Sequence, residues 1–381
     1  MIVPFYDDGT HGDEVAGDGT FTALYTPGTV PFLTEYGNKV GILELWIVAR
    51  DSAGTVVRSY DDINYLFNLA AVDRAASVPL TRVSDTEFTT TNLVNYIWPG
   101  INSPYHWDRG SITRRLLASY PDVFDFVTIR FAGIVAPGEV GQNYVMVSNR
   151  VQGIGISLTP DGGLSFGSGG TLRGVLQMGA GSSEIALMHE IGHSACFYLD
   201  NSRLPLSNGY GHINRPTTLL GQDNFSPSLL EQEDGNFLIG GNPSDRGTYR
   251  NPYSKLELYL MGLIGPTEVT PERFLLDPTV STDQGTLVPR GKTTLVTIDD
   301  LVAVYGPRVP DATSTAKTLR VGFVVLSDRP LMPAEVALEH LNATWAESRP
   351  EGAAALQSPP TYHWATGGRG TLLTTLPARK P

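Results

Sequence analysis

Apolar residues along the chain follow two rhythms, and the changes of rhythm mark the elements. Residues 124–131, Phe-Asp-Phe-Val-Thr-Ile-Arg-Phe, are rich in aromatic and β-branched side chains and predict a buried strand. Shorter strands are expected at 144–148, 153–158 and 172–178, separated by glycine-rich turns. Residues 111–120 read as a helix. A second helix opens at Ser182-Ser183-Glu184, with serine as the cap and glutamate in the first turn, and Ile185, Met188, Ile191 and Ala195 give it an apolar side. Residues 200–252 have no such rhythm, and irregular stretches of that length are uncommon unless functional. Helix resumes at 255–263. The last hundred residues predict a strand at 294–298, a short helix from Asp299 and a strand at 319–326. A further helix has Pro333 at its first position and a face of Ala334, Leu338, Leu341 and Trp345.

The first 60 residues read as β structure, with strands at 21–25 and 42–49 and a turn at 51–54. Asp7, Asp8, Asp13 and Asp18 alternate with Gly9, Gly12, Gly17 and Gly19 in an acidic, turn-rich loop. Its oxygens are of the type that Ca²⁺ takes, although their spacing is not that of an EF-hand. Two strands and a loop bury no core alone. The patterning therefore divides the chain into 1–60, a partial β module; 61–280, a mixed central domain; and 281–381, a C-terminal α/β extension packed on it.

Composition narrows the field. With 41% hydrophobic residues over 381 positions there is enough apolar material for a large core. A net charge of −12 and the absence of any basic run exclude a phosphate-backbone partner, so no nucleic acid is expected. No apolar run reaches the roughly 20 residues of a membrane span. The N-terminal residues lack the basic start and apolar run of a signal peptide. Cys196 is the sole cysteine, so no intrachain disulfide forms.

The chemistry concentrates at Met188-His-Glu-Ile-Gly-His193. His189 and His193 stand four residues apart on the expected helix, so their imidazoles project from one face about a turn apart and both can reach one tetrahedral Zn²⁺. Glu190 lies about 100° round the helix, within reach of a water at that metal, where a carboxylate can act as general base. The bland alternative is a core helix with two incidental histidines. His106, His11, His340 and His363 have no metal-type partners at helical spacing, and residues 162–170 lack the Lys-Ser/Thr ending of a phosphate loop.

This His-Glu-x-x-His helix, with an aliphatic residue ahead of it, resembles the active-site helix of the zincin metallopeptidases. The resemblance implies that His189 and His193 bind zinc and that Glu190 is the general base. It also implies an edge strand over the cleft that pairs with the substrate backbone, a place assigned here to residues 172–178. The metzincin branch carries Gly three and His six residues after the second His, where this chain has Cys196 and Leu199, so that signature is absent. The chain is similar, from about Phe124 to Val325, to a loose group of bacterial exported zincin-like proteins. These pair His-Glu-x-x-Gly-His with a later Gly-His and a Leu-Glu-Leu-Tyr-Leu-Met-Gly-Leu helix. That resemblance favours His212 as third metal ligand, with Glu257 and Asp200 as alternatives. Met261 compares with the methionine beneath the metzincin zinc, but Leu256, Leu260 and Leu263 beside it make it ordinary core filler. Tyr210 and Tyr259 are the tyrosines that can donate to an oxyanion, and neither is assigned that role.

Residues 1–55 or so resemble the second half of a bacterial immunoglobulin-like module, through Tyr6-Asp-Asp-Gly-Thr-His-Gly-Asp13 and Ala16-Gly-Asp-Gly19. The resemblance implies a chain that starts in mid-domain and an exported protein. The expected fold class is therefore α+β: a zincin-like catalytic domain with a mixed sheet and an active-site helix, preceded by a partial β-sandwich and followed by a small α/β extension. The expected activity is zinc-dependent hydrolysis of protein or peptide substrates. The alternatives are an extracellular adhesion or surface-binding module with a non-catalytic zinc site, and an amidase acting on a non-peptide amide.

Overall fold

The computed structural model describes residues 4–11, 13, 15–17, 40–50, 56–68, 78–98, 108–132, 143–178, 184–196, 198–199, 204, 229–231, 233–239, 252–283, 286–349 and 361–381. Strands expected at 21–25, the turn at 51–54, the helix cap at Ser182-Ser183, and His106, Asp200, Tyr210 and His212 lie outside them.

The N-terminal strands β1 (Val40–Arg50) and β2 (Val56–Asn68) form an antiparallel pair of their own. The acidic loop ahead of them turns its carboxylates inward. Asp13 accepts from Gly9 N at 2.7 Å, Asp7 from Gly17 N at 2.6 Å and Asp8 from Thr10 N at 2.8 Å. These side chains satisfy backbone donors in the turn.

The main sheet is built from β3 (Thr81–Ser84), β4 (Glu87–Thr89), β5 (Leu93–Ile97), β6 (Phe126–Phe131), β7 (Asn143–Met146) and β8 (Gly174–Gln177), with two strands from much later in the chain. Between β5 and β6 in sequence comes helix α1 (Arg109–Ser119), and after β8 comes helix α2 (Glu184–Gly192). The short strands β9 (Leu229–Glu231) and β10 (Phe237–Ile239) and helix α3 (Lys255–Leu260) follow. The long hairpin of β11 (Glu272–Asp283) and β12 (Thr286–Val296) then joins β10 and β9 in a separate four-stranded sheet. The chain continues through α4 (Ile298–Tyr305), β13 (Thr318–Ser327), α5 (Pro333–Glu347), α6 (Tyr362–Ala365) and β14 (Thr371–Leu373).

In space the main sheet runs β3-β4-β5-β13-β6-β8-β7, with β14 also paired to β13. β13 is parallel to β5, β6 and β14, and β8 is parallel to β6, while β7 returns antiparallel to β8. The protein is thus a mixed α+β structure on a mixed sheet. Alternation along the central strands sorts two cores. Leu93, Phe126, Leu176, Phe323 and Val325 face α2, α3, α5 and α6, and Val94, Val127, Ile129, Val175, Val324 and Leu326 face α1. Strands covered on both faces read as continuous apolar runs, which is why β6 and β13 were legible.

Four expectations change here. β8, within 172–178, is an interior strand bonded to β6 and β7, with all four residues buried; among the described residues the edge on that side is β7. Residues 153–158 form no strand, because Gly153 and Gly155 take φ of +79° and +82° and break the extended path; only an Asn149–Thr159 bridge closes that loop. The C-terminal segment supplies β13 to the middle of the sheet, where an extension packed on the central domain was expected. On α5 the buried positions among the described side chains are Val336, Ala337, Glu339, Asn342, Ala343 and Ala346, while Leu341 and Trp345 are half-buried and Ala334 and Leu338 lie outside the described side chains. Small residues let this helix approach its neighbours, and Glu339 reaches Arg130 of β6 in a buried ion pair.

The start of α4 is closed by a reciprocal cap: Thr297 Oγ1 accepts from Asp300 N, and Asp300 accepts from Thr297 N at 2.8 Å. Thr297→Ala is expected to cost about 1 kcal/mol in urea denaturation at neutral pH. The hydrogen bonds from Thr297 hold the Asp300 carboxyl below its ordinary value. A depressed carboxylate stabilises the fold above its unfolded pKa, and that stabilisation is lost as pH falls through the folded one. The cost of the substitution should therefore shrink once the acid range is entered.

Candidate metal centre

Helix α2 follows β8 directly and packs against both β7 and β8. Leu187, Met188 and Ile191 are buried in the core, and His193, just past the helix end, lies beside Tyr144 of the edge strand β7. The turn after α2 keeps the helical path, since His193 N donates to His189 O at 3.2 Å and Cys196 N to Gly192 O at 3.0 Å. His193 therefore stays in register above His189. Their Nε2 atoms lie 2.8 Å apart, with the rings edge to face at 83°.

A Glu190 carboxylate oxygen completes the group: the ligand atoms of His189, Glu190 and His193 all lie within 4.8 Å of one another. His189 and Glu190 are buried and His193 is half-buried. Two imidazole nitrogens converging on one point beside a carboxylate can hold a divalent metal ion. Burial pushes the Glu190 carboxyl up to about 7. A cation at the paired nitrogens acts in the opposite sense and favours the carboxylate.

Tyr144 of β7 was not foreseen. Its ring lies parallel to that of His193, 6.3 Å away at 17°, and its hydroxyl donates to Arg173 O at 3.2 Å. Gly174 on the neighbouring strand makes room for it, because a Cβ there would stand 2.2 Å from Tyr144 Cε2. Gly174→Ala is expected to push Tyr144 off its place and destabilise the fold by roughly 1–3 kcal/mol, read by chemical denaturation. No local signal marks this pair, which exists only through the antiparallel register of β7 on β8. Tyr253 was missed for the same reason: its hydroxyl donates to Met188 O at 2.7 Å and fixes α2 to the segment that leads into α3.

Of the other candidate residues, Glu257 is fully buried but its carboxylate accepts from Ser254 N at 2.7 Å, closing the capping box of α3. Among the described residues it does not join the histidine group. Tyr259 is a core residue whose hydroxyl accepts from Arg308 N at 3.0 Å, and Met261 caps the C-terminus of α3 within the core. Among the described residues no second cluster gathers in the acidic N-terminal loop. No helix among them is long and apolar enough to cross a membrane. No family model, curated protein or solved structure matches the chain.

Proposed function

We propose that the chain is a zinc-dependent endopeptidase of zincin type, and the convergence of His189 and His193 Nε2 beside the buried Glu190 carries this reading. A purely structural site would have no need of a buried carboxylate beside the paired imidazoles, and among the described residues Glu190 makes no ion pair. His189 and His193 would hold the zinc, with His212 as third ligand. The engagement of Glu257 in its capping box supports His212 over that alternative, and Asp200 remains the other.

Zinc bound there supplies Lewis-acid polarisation of the scissile carbonyl and makes water more acidic. Glu190 takes the proton of the attacking water and hands it to the leaving amine. Tyr144 packs along His193 and holds its ring in plane. Among the described residues β7 is an edge strand, and an extended peptide that added to the sheet there would run beside α2 and Glu190.

The test is metal content by elemental analysis of the purified chain and of His212→Ala, with casein cleavage measured with and without chelator. One zinc per chain, chelator-sensitive cleavage and loss of zinc in the variant are expected. Full zinc occupancy in the variant would move the third ligand to Asp200 or Glu257. A parent chain that takes up no zinc on reconstitution would overturn the reading.

A further inference from the structure

A second site lies on the other side of the metal-bearing helix. At 3.6 residues per turn, Ile191 points roughly opposite to His189, and with Ser194 and Ala195 of the turn after α2 it lines a cavity of about 310 Å³. That volume is at the lower end for small-molecule pockets. The metal centre and this cavity therefore share α2 but not a wall.

Its chemistry departs from that of the chain as a whole. In a protein of net charge −12, three guanidinium groups, those of Arg150, Arg173 and Arg308, line one small space. Asp125 is the one carboxylate in the wall, and both of its oxygens are engaged, by Arg173 Nη2 at 3.0 Å and by Arg320 N at 2.9 Å. Arg173 is thereby neutralised, whereas among the described residues neither Arg150 nor Arg308 meets a carboxylate in an ion pair.

Arg308 is buried, and all its partners are neutral. It donates to Leu260 O, Met261 O, Pro310 O and Thr315 Oγ1, which uses four of its five N–H groups. Burial and the charge of Arg173 push its guanidinium down to about 10. Arg150 is exposed at the mouth, where its one hydrogen bond is a long one to Gly169 O at 3.5 Å. Asp311 lies near enough to offset this only in part, and a buried cation whose hydrogen-bond partners are all neutral gains when something anionic joins it. The rest of the wall is mixed: Ile191, Met261, Leu263 and Leu319 give it an apolar side, and Asn149, Thr171 and Ser194 add neutral polar groups.

We propose that this cavity binds a small organic carboxylate, its charged end between Arg150 and Arg308 and its apolar body against Ile191, Leu263 and Leu319. An occupant would touch the turns that follow α2 and α3 at once. The site does not depend on the peptidase reading, because none of its residues belongs to the histidine group.

Isothermal titration of the full chain at low ionic strength, with benzoate, its neutral analogue benzamide and inorganic phosphate, tests the proposal. Benzoate is expected to bind one to one, about tenfold or more tighter than benzamide, as a charge-assisted contact to guanidinium requires. Arg150→Gln, at an exposed position, should weaken benzoate by a similar factor while the thermal midpoint of the ligand-free chain stays put. Equal affinity for benzamide would show an apolar hole without charge recognition, and equal affinity for phosphate a diffuse cationic patch; either overturns the proposal. So would an affinity that disappears with chelator, since the carboxylate would then be sitting on a metal, or one that Arg150→Gln leaves unchanged.

Discussion

Replacing Glu190 by glutamine is expected to cut peptide hydrolysis by about 10²–10⁴-fold while zinc content and fold stay as they are. Glutamine has the shape of the carboxylate and keeps an acceptor oxygen, but it takes no proton from water. If Glu190 acts on the reacting water alone, the loss falls on kcat and leaves KM little changed. Elemental analysis of the same preparation separates two failures. Hydrolysis that survives would place the general base elsewhere, and the adhesion-module alternative would follow if no hydrolysis were found in the parent either. Loss of zinc together with activity would make Glu190 part of the metal's coordination, a different role from the one argued.

The largest stability effect is expected at the Arg130–Glu339 pair. Both side chains are nine-tenths buried or more, at 7% and 9% exposure, so solvent screens their attraction little. Asn342 Nδ2 adds a weaker contact to Glu339 at 3.5 Å. Glu339→Gln leaves the guanidinium charge buried in the α5 side of the sheet, and the expected cost is roughly 3–5 kcal/mol in urea denaturation. Removing both charges together, as Arg130→Met with Glu339→Leu, is expected to restore much of that loss, since an apolar pair carries no desolvation penalty. If the double variant is as unstable as the single one, packing rather than the lost Glu339 charge sets the cost.

The sequence made the histidine helix legible because its chemistry is local. His189 and His193 need only the helical period to converge, and Glu190 only the next position round the helix. α5 was likewise marked by Pro333 at its first position. The parts that escaped depend on distant pairings. Tyr144 reaches His193 through the register of β7 on β8 and the missing Cβ of Gly174. The burial of Glu339 on α5 goes with its ion pair to Arg130 of β6, which no helical periodicity reveals. Most of β11 and β12 was hidden by Pro278 and Pro289, residues that argue against a strand. The ladder accommodates Pro278 at a register shift between Leu276 and Thr279.

The position of β13 also orders events during synthesis. When the ribosome has delivered the segments up to α2, β3, β4 and β5 can form one half of the sheet and β6, β8 and β7 the other, but the strand that joins them is still unmade. Asn95 of β5 waits for Val325, 230 residues later, to accept its side-chain amide. During that interval two inner strand edges stand open on the nascent chain, the kind of surface that invites wrong pairing. A chaperone that shields those edges would act on the half-sheet that carries the histidine helix, well before any substrate could meet it.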